Sequence, residues 1–186
     1  MLKLDVMMKH LKEFTIPFVG LKLGKHHFKY QIDKTFFEHF EYEEFNDTSI
    51  NVGLSLNKKT TLLELDFDIS GTVNINCDLT NEAYNQEISN QFNLVVNFGE
   101  EFNDEEIDLL IIPHGEYEIN IQQYIYELIV LAVPTKRIHP GVKDGTLNSD
   151  ILKKLEELSP KLKENKETEE ETDPRWNTLK KLLTDK

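Results

Sequence analysis

The sequence predicts an α+β protein: a long antiparallel sheet, curled or barrel-like, packs on a buried helix, and a helical carboxy-terminal extension follows. Three observations predict this fold class. Apolar and polar residues alternate through three successive runs between residues 50 and 98. An apolar stripe at helical spacing occupies residues 121–133. A second helical pattern, amphipathic and basic, lies at residues 173–186.

Two short strands and a short helix are predicted before the main sheet. Pro17 confines the first strand to an edge or a bulge, because proline donates no hydrogen bond to a ladder. Asp33 is suited to cap the helix. The alternating apolar residues are Phe14, Ile16 and Phe18 in the first strand and Phe28, Tyr30 and Ile32 in the second, and the helix carries Phe36, Phe37 and Phe40.

The main sheet is predicted from period-2 alternation, which is typical of antiparallel strands with one buried face. The middle run is long, and Gly71 within it predicts a bulge or a bend. Strands this long and one-sided tend to curl or to cover their inner face with a helix. The apolar positions run from Ile50 to Leu56, from Leu63 to Leu79 and from Ile88 to Phe98, and a shorter apolar run at 109–112 predicts a further strand.

The covering helix is predicted at Ile121–Val133. Asn120 is suited to cap it, with Gln123 in the matching position of a capping-box pattern. Pro134 ends it. Val130, Leu131 and Val133 make the end of the helix apolar almost all round, which predicts that this end is deeply buried. The stripe consists of Ile121, Tyr124, Ile125, Leu128, Ile129 and Ala132.

The sequence divides into four parts by composition. Residues 1–134 form the α+β core, and residues 135–160 a loop and a short helix. Residues 161–172 are rich in Lys and Glu and predict a flexible linker, because they bury too little apolar surface to offset chain entropy. Residues 173–186 predict an amphipathic helix, with Asp173 and Pro174 at its start. Such a helix is marginal alone, so it packs either on its own sheet or on a partner.

The composition excludes several classes of protein. With 21 Lys and Arg against 34 Asp and Glu, the net charge is −13. That balance disfavours a protein whose whole surface binds nucleic acid, since phosphate contacts need cations. One cysteine excludes a disulfide scaffold. Neither a spanning segment nor a secretory leader is predicted, so we expect a soluble, cytoplasmic protein that contacts neither membrane nor DNA.

The charge is distributed unevenly along the chain. Residues 1–34 carry +4 and residues 175–186 carry +3, so the intervening segment carries −20. Local patches steer association more than the total charge does. Any contact with a nucleic acid is therefore expected from the cationic segments and from Trp176, which can stack on an unpaired base. The candidate residues are Lys22, Lys25, Lys29, Lys136, Arg137, Arg175, Trp176, Lys180 and Lys181.

No catalytic constellation is recognisable, so we expect a protein that is not an enzyme and uses no cofactor or metal. Cys77 falls in phase with Val73 and Ile75, which predicts a thiol in the core, where cysteine behaves as a small hydrophobic residue. The six histidines lack the spacing of a metal-binding helix. The acidic stretches at 41–44 and 100–106 are interpreted as solvated loops.

The order of features resembles the YceD family, the large ribosomal RNA subunit accumulation proteins. The matching pieces are G-T-V-N-I-N-C at Gly71–Cys77, L-I-V-L-A-V-P at Leu128–Pro134 and D-P-R-W-N-T-L-K-K-L-L at Asp173–Leu183. The most specific part of the resemblance is Asp173, Pro174, Arg175 and Leu179. Many members of this family have a sequence that resembles C-x-x-C at the end of the strand that corresponds to Gly71–Cys77. Here Cys77 is followed by Asp78, Leu79 and Thr80, so the second cysteine is absent.

The resemblance implies a role in accumulation or processing of the large-subunit (23S) ribosomal RNA. The implied partners are that RNA or the precursor of the large subunit. The acidic segment adds a basic ribosomal protein as a possible partner, since opposite charges favour that contact. Two alternatives stay open: an acidic module that binds a basic peptide or protein unrelated to ribosomes, and a metal-dependent RNA hydrolase.

Overall fold

The computed structural model describes residues 12–147 and 150–158, and it is a mixed α+β fold with a five-stranded, mostly antiparallel sheet. Short 3₁₀ turns at Lys12–Phe14 and Phe18–Gly20 flank the first strand. The strands are β1 Thr15–Ile16, β2 Gly24–Ile32, β3 Asp47–Lys58, β4 Leu62–Asn76, β5 Ala83–Gly99, β6 Leu109–Pro113 and β7 Ile119–Asn120. The helices are α1 Lys34–Glu38, α2 Gln122–Ala132, α3 Pro140–Lys143 and α4 Asp150–Leu158.

The main sheet has the strand order β2-β3-β4-β5-β6. Strands β2 to β5 form an antiparallel meander in chain order, as the alternation predicts. The short strand at 109–112 is also confirmed, but β6 pairs with β5 in parallel. The barrel-like alternative is wrong for the part of the chain that is described, because the sheet is open, with β2 and β6 at its edges.

One face of the sheet forms the core. In β4, the odd-numbered residues from Leu63 to Ile69 are at most 2% exposed, and their even-numbered neighbours from Glu64 to Ser70 are half-buried or exposed. The alternation ends earlier than predicted. Asn76 is the last residue of β4, and Leu79 is 40% exposed in the following turn.

Gly71 allows two strand backbones to approach closely in the middle of the sheet. The register of β4 is continuous with β3 and with β5 through this residue, so the bulge alternative is wrong. A Cβ atom at Gly71 would lie 2.3 Å from the Ser49 carbonyl oxygen and 2.6 Å from the Ile50 Cα. Only glycine tolerates this approach, and glycine in a strand commonly marks such a bend.

The first predicted strand is only two residues long. β1 pairs with β7 in a separate two-stranded sheet, with Thr15 opposite Asn120. The predicted apolar residues Phe14, Ile16 and Phe18 are nevertheless all buried. Lys58 ties the following turn to β3, because its Nζ donates to the carbonyl oxygens of residues 18 and 21 at 2.8 and 2.9 Å.

The predicted short helix is α1, and Asp33 caps it by accepting a hydrogen bond from the Thr35 N–H at 3.0 Å. Its phenylalanines enter an aromatic cluster. Phe37 is fully buried, with its ring edge-on to Phe45 at a centroid distance of 4.9 Å. At the surface of the cluster, Phe40 stacks on Tyr126 at 4.1 Å.

Helix α2 contacts β5, where the Asn90 side chain donates to the Leu128 carbonyl oxygen at 3.3 Å. Asn120 accepts from the Gln122 N–H, as a cap would. The capping-box pattern is wrong, because the Gln123 amide donates to Glu127 instead. The end of the helix is also not buried all round: Leu131 is 77% exposed, since only one side of α2 faces the core.

The chain divides into two compact units, Met1–Ser149 and Asp150–Lys186. Of the second unit the structure describes only α4, where Lys153 pairs with Asp150 at 3.4 Å. The predicted linker at 161–172 and the predicted helix at 173–186 lie outside the described residues. The four-part division of the sequence therefore stays a prediction.

Candidate functional site

The described cationic residues do not form one patch. Lys22, Lys25 and Lys29 are exposed on or beside the edge strand β2. Lys25 lies across β3 from Glu64, near the start of β4. Lys136 and Arg137 lie near the opposite end of β4. The Arg137 carbonyl oxygen accepts from the Asp78 N–H at 2.7 Å, and Asp78 comes just after the last residue of β4. Arg175, Trp176, Lys180 and Lys181 lie outside the described residues.

Arg137 is bound to carboxylates. Its guanidinium pairs with Glu44 at 2.5 Å, and its backbone N–H donates to the Asp78 carboxylate at 2.8 Å. The hydrogen bond to Glu44 raises the pKa of Arg137 above its ordinary value. An RNA phosphate would therefore have to displace Glu44 from Arg137. Lys136 is exposed.

Cys77 is 2% exposed, which confirms the prediction that its thiol lies in the core. The His139 N–H donates to its Sγ at 3.3 Å. Burial raises the pKa of Cys77, but hydrogen bonds from His139, Thr80 and Leu79 outweigh burial and hold that pKa below its ordinary value. Thr80, the third residue after Cys77, is also buried. This turn therefore holds a hydrogen-bonded sulfur atom.

Among the described residues, no group of three or more His, Cys, Asp and Glu side chains is arranged to hold a metal ion. No helix in the same residues is long and apolar enough to cross a membrane.

A groove lies between α2 and the segments on either side of β6. Its volume is about 880 Å³. We call it the acidic groove. Its floor contains Phe92, Leu110, Tyr124 and Leu128, its exposed apolar margin consists of Phe102, Ile107 and Leu131, and its carboxylates are Asp104, Glu105, Glu106, Glu116, Glu118 and Glu127.

The acidic groove combines an apolar surface with charge of one sign. Phe102, Ile107 and Leu131 are 59%, 85% and 77% exposed. Among the residues that the structure describes, no lysine or arginine belongs to the lining of the groove. Contiguous exposed apolar side chains with a polar rim are typical of interaction sites. Carboxylates of one sign in a cleft also concentrate cations there.

The Tyr124 side chain reports the negative potential inside the acidic groove. Its pKa is raised to about 12, first by burial and then by the carboxylates of Asp104 and Glu127. Both effects disfavour the phenolate, because a buried anion loses hydration and an adjacent anion repels it. The phenol therefore keeps its proton well beyond its ordinary range.

We expect Asp104→Asn to lower the pKa of Tyr124, because one of the two repelling charges is removed while burial is kept. The measurement is a pH titration of ring-labelled tyrosine followed by NMR. Asp66→Asn, on the opposite, solvent-facing side of the sheet, serves as the control and is expected to leave the pKa of Tyr124 unchanged. An unchanged pKa in Asp104→Asn would mean that the carboxylate does not act on the phenol.

A second, smaller depression of about 590 Å³ lies on the sheet. Its polar residues already satisfy one another: Asn93 donates to Asp66 at 2.6 Å, and Gln91 donates to Asp68 at 3.3 Å. The small residues Gly53 and Ser55 of β3 also line this depression. It offers no apolar margin comparable with that of the acidic groove.

The acidic groove is not among the predictions made from the sequence, which place residues 100–106 in a solvated loop and residue 131 in a buried helix end. A signal was present in the sequence, since Phe102 and Ile107 are large apolar residues inside a strongly acidic segment. Single exposed apolar residues are ordinary, but a cluster of them marks an interaction site.

A protein-family model described as "Large ribosomal RNA subunit accumulation protein YceD" matches residues 65–183 of the chain. The matched residues include β4 from Leu65 onward, β5, β6 and α2, and with them the acidic groove except for its contribution from Thr15. Comparison with curated proteins and with solved structures gives no match in either set.

Proposed function

The chain belongs to the YceD family, and we propose that it is a non-catalytic factor that supports accumulation of large-subunit ribosomal RNA. In this proposal it acts in the cytoplasm, on the precursor of the large subunit. It binds a basic ribosomal protein, the precursor particle, or both. The family name supports the role in accumulation, and the acidic groove supports the choice of a protein as the first contact.

The observation that carries the proposal is the sign of the charge around the groove. Within the described part of the chain, six carboxylates line it and no lysine or arginine does. RNA carries one phosphate charge per nucleotide, so this surface repels RNA. Ribosomal proteins that pack against RNA need basic surfaces, and such surfaces complement the groove. In this proposal the protein contact is assigned to the acidic groove.

Contact with the particle itself is assigned to the cationic segments. Lys22, Lys25 and Lys29 are exposed along the β2 edge, away from the groove lining. The D-P-R-W segment at 173–176 adds an arginine and an aromatic ring that can stack on an unpaired base. This division leaves the acidic surface free to hold a basic protein while the cations contact RNA.

Depletion of the protein tests the proposed function. We expect sucrose gradients of a depleted strain to show less mature large subunit and more of its precursors, with reduced 23S-type RNA relative to small-subunit RNA. Restoring the wild-type gene should return the profile. A depleted strain with an unaltered profile would contradict the proposal.

The acidic groove equally favours a second candidate, a module that binds basic peptides unrelated to ribosomes. The same gradient separates the two, because only the ribosomal role changes large-subunit precursors. The hydrolase alternative is separated by incubating purified protein with precursor RNA, with and without magnesium. Cleavage that a single carboxylate substitution abolishes would favour the hydrolase.

A further inference from the structure

We propose that the acidic groove binds one lysine- or arginine-rich amphipathic segment of a partner protein, with the apolar side of that segment against Phe102, Ile107 and Leu131. The inference deepens the proposed function. It rests on that function only for the identity of the partner as a ribosomal protein. The groove and its chemistry are independent of it.

The apolar margin requires an apolar contact. Ile107 and Leu131 are among the most exposed large hydrophobic residues of the described chain, at 85% and 77%. They lie in the same groove although one follows β5 and the other is near the end of α2. Covering a leucine or isoleucine side chain removes apolar area from water, which favours a partner with a hydrophobic side.

The carboxylates require that the same partner be cationic. Asp104, Glu105 and Glu106 lie between Phe102 and Ile107, so the charges and two exposed apolar side chains share one segment. Glu127 lies on the opposite side of the groove, on α2. A segment lying between these two sides would place cations within reach of both. An anionic partner, RNA included, would meet repulsion from each.

The size of the groove suits a short helix. Helix α2 forms one side of it and has 11 residues, which corresponds to a length of about 16 Å. An amphipathic helix of about three turns matches that length and presents apolar residues at i, i+3 and i+4 to a groove. Basic residues on its flanks then face the two acidic sides.

The test uses the full-length protein and a synthetic helical peptide of lysine, leucine and alanine whose leucines share one face. We expect the wild type to bind this peptide, measured by fluorescence anisotropy, and to bind it more weakly as salt is raised. Ile107→Lys/Leu131→Lys should weaken binding at least about tenfold. The matched control is Val19→Lys/Leu23→Lys, which adds the same charge at residues 61% and 66% exposed outside the groove and should leave binding unchanged.

A second pair of variants keeps the test valid if the first variant folds poorly. Glu105→Gln/Glu106→Gln removes two groove charges and should also weaken binding, whereas Glu38→Gln/Glu43→Gln removes two exposed charges elsewhere and should not. Equal binding by the groove variants and their controls would overturn the proposal. So would equal binding of a peptide with the same composition but scattered leucines.

Other occupants would give different results. Tighter peptide binding in Trp176→Ala would mean that the chain's own segment at 173–186 fills the groove, and would overturn the proposal. Self-association that Ile107→Lys/Leu131→Lys abolishes would do the same in favour of a second copy. If depletion alters the precursor profile but the wild type does not bind the peptide, this inference fails and the proposed function stands.

Discussion

Gly71→Val is expected to lower the free energy of unfolding by about 3 kcal/mol, at the upper end of the usual cost of overpacking. The corresponding fall in melting temperature is roughly 10 °C for a chain of this size. The reason is the close approach of two backbones. The first atom of any side chain at residue 71 would lie 2.3 Å from the Ser49 carbonyl oxygen.

The clash at Gly71 cannot be relieved by turning a side chain, because both nearest atoms belong to the backbone of β3. Relief requires that β3 and β4 move apart where Ile50 stands opposite Gly71. Ile50 is fully buried, so such a movement also disturbs the core. Packed interiors tolerate small shifts poorly.

Gly53→Val is the matched control, since Gly53 is the other glycine within the β3–β4 pair. A Cβ atom there would meet only the Asp68 carbonyl oxygen, at an ordinary 3.7 Å. Valine favours strands, so we expect a change within about 1 kcal/mol. The measurement is urea denaturation of both variants. Equal stability of Gly71→Val and wild type would mean that the strands do not approach as closely as described.

The meander could be predicted because the alternation of apolar and polar residues that indicates each strand lies within that strand. In β3 and β4, apolar residues recur at every second position along most of the strand. A shift of the pairing register by one residue would expose them all. Pairing of consecutive strands then follows from short connections, such as the one between Lys58 and Leu62. The burial of Cys77 follows from the same phase.

The position of β6 and the openness of the sheet could not be predicted. Five residues of β6, all apolar up to Pro113, contain no information about which strand they join or in which direction. Closure depends on contacts between strands far apart in the chain. The same limitation applies to Leu131: its apolar neighbours suggest burial, but only the placement of α2 on β5 decides which side of the helix meets solvent.

The candidate site was predicted only in part, for a related reason. The sequence identifies cations such as Lys25 and Arg137, but not that they lie at different ends of β4 or that Glu44 already pairs with the arginine. It also identifies the acidic stretch around Glu105 but not the apolar floor beneath it. Grooves form between segments distant in sequence, so their lining becomes visible only in the folded chain.

Loss of large-subunit maturation is expected for Ile107→Lys/Leu131→Lys even though the fold is kept. Both residues are largely exposed, so substitution by lysine removes no core packing. Surface substitutions of this kind usually change stability by less than about 0.5 kcal/mol. The two lysines instead place positive charge among the carboxylates of the acidic groove and remove its apolar margin. A cationic amphipathic segment then loses both sources of affinity.

The most direct measurement is a sucrose-gradient profile of a depleted strain that carries one of three genes at equal protein level. The account predicts that the wild type and Val19→Lys/Leu23→Lys restore mature large subunits, whereas Ile107→Lys/Leu131→Lys leaves precursors accumulated. Urea denaturation of the three proteins checks that each is folded. Full restoration by Ile107→Lys/Leu131→Lys would contradict the central claim, because ribosomal RNA would then accumulate without the groove.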